Sequence, residues 1–170
     1  MKNILSLMDY ESSLPFTVTN VLAIVTAIMA MRWPTSARVM LGAIFLGAAF
    51  VNTYFAFTDP QIYIAFGELT VSGLYRSIIL GPFSAHAQRY ILVIAGCQLF
   101  IGLFTCYKGQ IMKAAMIGGI TFLIAIAPLG IGSAFPSTLI MATAYAILLF
   151  KKADLNIYQL LRQNVGYSRQ

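Results

Sequence analysis

Residues 111–129 read Ile111-Met-Lys-Ala-Ala-Met-Ile-Gly-Gly-Ile-Thr-Phe-Leu-Ile-Ala-Ile-Ala-Pro-Leu129, with Lys113 as the one charge. A bilayer core about 30 Å thick accepts roughly 20 apolar residues as one helix, so this stretch reads as a membrane span. Four more such runs flank it. Leu14 to Met31 is stopped by Arg32-Trp33-Pro34, because the residue before a proline is pushed out of the helical region. Arg38 to Phe57 follows, with Thr35 or Ser36 as the expected cap, and ends at Thr58-Asp59-Pro60. Tyr90 to Tyr107 closes on Lys108-Gly109, the cation and glycine that suit a helix C-terminus. Phe135 to Phe150 comes after the tight Gly130-Ile131-Gly132-Ser133 connection, so the last two runs form a helical hairpin.

Composition agrees with a membrane protein. Of 170 residues, 59% are apolar and 9% charged, with a mean hydropathy of +0.82; soluble domains run at roughly half apolar and a quarter charged. Too little polar surface remains to solvate a globule, which argues against a soluble enzyme, a disordered chain and a nucleic-acid-binding domain. The expected fold is all-α: a polytopic bundle of five transmembrane helices in one domain, residues 1–150, plus an outer-face interfacial or re-entrant helix.

Basic residues retained on the cytoplasmic side orient the chain. With the N-terminus extracytoplasmic, Arg32, Arg38, Lys108, Lys113, Lys151, Lys152, Arg162 and Arg169 all fall inside, and Lys2, Arg76 and Arg89 outside. A multi-pass protein of the cell membrane with a cytoplasmic C-terminus is the expectation. A cleaved signal peptide fits less well, since Asp9 and Glu11 precede the first run and its basic residues follow it. The tail, 151–170, places Leu155, Tyr158, Leu161 and Val165 at helical spacing beside four cations. It reads either as a basic amphipathic segment on anionic headgroups or as the last helix running on into water.

Residues 61–81 resist assignment as a sixth span. Glu68, Ser72 and Arg76 are spaced i, i+4, i+8 and would form one polar stripe on a continuous helix. Burying both charges at mid-bilayer costs roughly 2.5 to 3.5 kcal/mol each. On such a helix Glu68 and Arg76 stand about 12 Å apart and do not pair; Glu68 instead pairs with Arg89 or faces water.

Polar groups crowd the outer half of the bundle. Asn20, Asn52, Glu68, Arg76, Arg89 and Gln98 make a candidate ligand-binding cavity, since intramembrane polar groups facing a bundle interior mark ligand or ion paths. The competing reading, interhelical hydrogen bonding that ties helices together, is the stronger of the two. Small residues at four-residue spacing, Ala43 and Gly47, then Ala114 and Gly118 or Ala115 and Gly119, offer faces for close helix approach.

Catalytic chemistry has little to stand on. His86 is the one histidine, so bis-histidine haem ligation within one chain is excluded, and no residues are spaced for zinc. Cys97 and Cys106 lie nine residues apart on one run and cannot bridge each other while it is helical. No phosphate loop, dinucleotide fingerprint or nucleophile elbow is present. The expectation is no catalytic residue, no metal and no cofactor; a lipid-modifying enzyme would need Glu68 or His86 as its acid or base.

Arg38-Val-Met-Leu-Gly42-Ala-Ile-Phe45-Leu46, and then Gly96-Cys-Gln-Leu-Phe-Ile-Gly102-Leu-Phe-Thr-Cys-Tyr-Lys108 leading into an Ala/Gly-rich helix, resemble the DoxX-like family of small four-helix membrane proteins over residues 37–150. Two features depart from that pattern: the added N-terminal span, and apolar Ile91 to Ile94 where an acid is expected one turn before Gly96. The resemblance implies a membrane subunit associated with redox partners or quinone-linked sulfur metabolism. The reading is therefore a non-catalytic subunit or scaffold, partnered by the lipid bilayer and by another membrane protein or its own copies. The alternative is a protein that binds or transports a lipid-soluble or polar-headed ligand in the outer-half cavity.

Overall fold

A computed structural model describes residues 2–70, 72–133 and 135–151, with side chains from residue 16 onward, 71 and 131–134 aside. The tail expected at 151–170 lies, Lys151 excepted, outside the described residues. Among the described residues the structure is all helical: α1 (Lys2–Arg32), α2 (Pro34–Thr58), α3 (Ala65–Leu69), α4 (Gly73–Ile78), α5 (Ala87–Thr105), α6 (Gly109–Ile126) and α7 (Ser137–Phe150). Tighter 3-10 turns occupy Pro60–Tyr63 and Ala127–Ser133, and a π turn occupies Ile79–Phe83.

Three segments, Pro34–Thr58, Ala87–Thr105 and Gly109–Gly130, are long and apolar enough to cross a membrane. The apolar parts of the other two long helices are shorter, Phe16–Arg32 and Ser137–Phe150. At 1.5 Å per residue the 14 residues of α7 reach about 21 Å, short of a hydrocarbon core of about 30 Å.

The five long helices close into a ring. The first, α1, packs on α2 and α7, α2 on α5, α5 on α6, and α6 on α7, with the α2–α5 interface the most extensive. Inside lie Leu41, Phe45, Ile101, Met116, Leu123, Tyr145 and Leu148. Phe45 meets both Phe122 and Tyr145 edge-on at 5.8 Å, the arrangement that aromatic quadrupoles favour. On α6 the buried small pair is Ala115 and Gly119, with Tyr145 lying over Gly119. Ala43 and Gly47, by contrast, face outward on α2.

Prolines set the breaks. Trp33 (φ −133°, ψ 72°) leaves the helical region ahead of Pro34, and Asp59 (φ −153°, ψ 76°) does the same ahead of Pro60. Pro34 itself opens α2, so the helix starts ahead of Thr35 and Ser36 and neither serves as its cap; a proline at the first position forfeits no hydrogen bond.

Residues 61–81 do not form one helix. The α3 and α4 pieces have five and six residues, about 8 and 9 Å long, and they are separated by extended backbone at Thr70 (ψ 138°) and Ser72 (ψ 117°). They dock on the end of α6: Thr70 Oγ1 donates to the Pro128 carbonyl at 2.7 Å, and Tyr75 OH to that of Ala125 at 2.6 Å. Ala125 lies in the last turn of α6, whose final carbonyls lack α-helical partners, and Pro128 in the 3-10 turn that follows it. The break also overturns the expected separation of Glu68 and Arg76, which form an exposed ion pair at 2.8 Å.

Candidate functional site

Where α2 crosses α5, buried Ala49 and Ala56 with half-buried Asn52 between them face Ile91, Ala95 and Gln98. Asn52 Nδ2 donates to Gln98 Oε1 at 2.6 Å, and Tyr63 OH donates to Asn52 Oδ1. Asn52 thereby uses both ends of its amide, one toward the neighbouring helix and one toward the turn above it. Gln98 is 6% exposed. Burial holds the Tyr63 hydroxyl above the usual tyrosine range, which keeps it a donor to Asn52. Tyr63 was not among the expected site residues. Its signal was faint: a tyrosine three residues beyond Pro60, in a turn with no periodicity of its own.

The remaining candidates are dispersed. Asn20 Nδ2 donates to the Phe16 carbonyl one turn earlier at 2.9 Å, a bond within its own helix. Glu68 and Arg76 pair with each other on the surface, and Arg89 is exposed near the start of α5. His86, the residue available for acid–base chemistry, is also exposed. Of the six expected residues the structure brings Asn52 to Gln98 and Glu68 to Arg76; it does not gather all six around one space.

The opposite end of the bundle holds a second polar cluster. Arg38 is fully buried; its Nε–H donates to the Thr105 carbonyl at 3.2 Å and its Nη2 to that of Tyr107. Thr105 Oγ1 and Tyr145 OH share a hydrogen bond of 3.2 Å. Cys106 is half-buried, its Sγ 3.7 Å from the Arg38 carbonyl oxygen.

A third feature is an apolar groove of about 380 Å³ on the outer side of the α2–α5 contact, lined by Leu46, Ala49, Phe50, Thr53, Leu92, Ala95, Gly96 and Leu99. Its hydroxyl, on Thr53, donates back to the Ala49 carbonyl at 2.7 Å, so the lining makes no side-chain polar demand on an occupant. Among the described residues no three His, Cys, Asp or Glu side chains cluster as metal ligands do.

No family model, curated protein or solved structure matches the chain. The DoxX-like pattern thus gains no support from comparison. Its glycines have a physical reason of their own: a Cβ on Gly102 would lie 2.8 Å from Leu46 Cγ and 3.0 Å from the Gly42 carbonyl oxygen, and one on Gly42 would lie 2.7 Å from Cys106 Sγ. These glycines let the two helix backbones touch.

Proposed function

We propose that this chain is a five-span integral membrane protein, with its N-terminus extracytoplasmic and its C-terminus cytoplasmic, that serves as a non-catalytic subunit or scaffold of a membrane complex. The observation that carries the reading is the use of its intramembrane polar groups. Asn20 and Thr53 are satisfied by carbonyls one turn back in their own helices, and Asn52 bonds Gln98 across α2 and α5, which is how an amide pair ties two helices together.

Charge supports the orientation. At the end where α1 meets α2 and α5 meets α6, the described cations are Arg32, Arg38, Lys108, Lys113 and Lys151, and no described acid accompanies them. Lys151 joins this end by donating to the Met31 carbonyl. Among residues whose side chains are described, the other end carries Asp59, Glu68, Arg76 and Arg89, two of each sign. Retention of Lys and Arg on the cytoplasmic side supports assigning the first end to the cytoplasm. If the DoxX-like resemblance extends to function, the partner is a redox or quinone-linked protein.

Two measurements test the proposal. In a background lacking Cys97 and Cys106, Ser84→Cys should react with a membrane-impermeant maleimide from the extracytoplasmic side, and Lys108→Cys only after permeabilisation; the reverse overturns the orientation. Intact-complex mass spectrometry after gentle extraction should show a membrane-protein partner or a homo-oligomer. A monomer without partner in both mild detergent and nanodiscs overturns the subunit reading.

A further inference from the structure

The groove between α2 and α5 continues, on the α5 side, to a cation. Its wall residues Leu92, Gly96 and Leu99 follow a spacing of i, i+4 and i+7, which keeps them on one face of the helix. Three residues before Leu92 and seven before Gly96, on that same face, stands Arg89, which is exposed. At 1.5 Å per residue Arg89 lies about 4.5 Å beyond the mouth of the groove toward the helix end, and the groove wall from Leu92 to Leu99 runs about 10 Å deeper. On α2 the corresponding upper residue is Phe57, four beyond Thr53 and 67% exposed. The one ion pair among the described residues is Glu68–Arg76, so no described carboxylate neutralises Arg89.

We propose that this groove binds an anionic phospholipid, one acyl chain lying between α2 and α5 and the phosphate held by the Arg89 guanidinium. Three observations select this occupant. The lining is apolar and its Thr53 hydroxyl is already satisfied, which suits a hydrocarbon chain rather than a polar ligand. Gly96 presents no side chain, and a Cβ there would meet nothing within 4 Å, so the wall is open where the chain would pass. Arg89 supplies an uncompensated planar donor at headgroup level, and guanidinium recognises phosphate oxygens in pairs. The inference is independent of the subunit reading, since a lipid on this face neither requires nor excludes a protein partner elsewhere on the ring.

The test uses the full chain in nanodiscs containing equal phosphatidylglycerol and phosphatidylcholine of matched chains, with retained lipid identified by native mass spectrometry. The wild type should retain phosphatidylglycerol about five-fold over phosphatidylcholine, the contribution of one basic residue near a membrane surface. Arg89→Gln should abolish that preference, whereas Gly96→Leu should lower retention of both lipids by filling the groove. Thr53→Leu fills it from the α2 side and gives the same result if Gly96→Leu fails to assemble. Arg76→Gln, at the same end but paired with Glu68, should behave as wild type. Equal retention of the two lipids by the wild type overturns the proposal, as does an Arg89→Gln protein that keeps the preference. Loss of preference in Arg76→Gln equal to that in Arg89→Gln, or wild-type retention when the groove is filled, overturns it as well.

Discussion

Arg38, one turn into α2, lies wholly buried with its Nε–H donated to the carbonyl oxygen of Thr105 at the end of α5, 3.2 Å away. A helix ends with carbonyls that have no partner along the chain and with a partial negative charge from its aligned peptides. The guanidinium of one helix thus caps the C-terminus of the next, with Tyr107 supplying a second acceptor. A buried charge is tolerated where hydrogen bonds and an opposing field replace its hydration, and this site has both.

Removing that donor should be costly. Arg38→Leu preserves bulk but strands the Thr105 and Tyr107 carbonyls, and the expected loss is about 2 to 3 kcal/mol, the scale of charged hydrogen bonds. Arg38→Lys keeps the charge without the fork and should fall between the two. Reversible unfolding in mixed micelles measures both; an Arg38→Leu protein as stable as wild type removes Arg38 from its capping role.

The glycine crossing makes a prediction with its own control. Gly102→Leu drives a side chain against Leu46 and the Gly42 backbone, so α2 and α5 must separate, at a cost of about 1 to 3 kcal/mol or more. A Cβ at Gly47 meets nothing within 4 Å, and Gly47→Ala should leave stability unchanged or raise it by up to about 1 kcal/mol through helix propensity. Thermal denaturation in one detergent compares the two, and a Gly102→Leu protein as stable as Gly47→Ala argues against close packing at the Gly102 crossing.

The helices themselves were readable from residue order because each apolar run ends at punctuation whose physics is local: Trp33-Pro34, Asp59-Pro60 and Lys108-Gly109. The roles of the charges were not readable in the same way. Arg38 looks like one more loop cation until α5 is seen to end beside it, a relationship across some 67 residues of chain. Glu68 and Arg76 look out of reach on a continuous helix and meet because the backbone is extended at Thr70 and Ser72. Asn52 and Gln98 were legible as intramembrane polar groups, but residue spacing alone does not reveal that they bond each other. Tyr63, in a four-residue 3-10 turn, carries no period by which its direction could be read.

Asn52 is the hub of the α2–α5 polar contact, so a double-mutant cycle should resolve it. Asn52→Leu breaks the bonds to both Gln98 and Tyr63 and should cost more than Gln98→Leu, which leaves the Tyr63 bond in place. The coupling between positions 52 and 98 should be about 0.6 kcal/mol and no more than about 1.7, the range for interhelical hydrogen bonds in membranes. Strict additivity in detergent-solubilised protein would mean that the amide pair does not hold the helices together.

Tyr63 gives the bundle a dependence on alkaline pH whose sign follows from burial. Its folded-state pKa is raised because burial disfavours the phenolate. The unfolded tyrosine therefore releases its proton first, above about pH 10, while the folded one still donates to Asn52. Over that window the unfolded state binds fewer protons, so stability falls as pH rises and levels off once the folded hydroxyl also ionises. Tyr63→Phe should lower stability at neutral pH, by loss of the bond to Asn52, and flatten the decline above pH 10. Chemical unfolding of both proteins from pH 8 upward checks the sign, and an unchanged slope in Tyr63→Phe assigns the alkaline transition to another group.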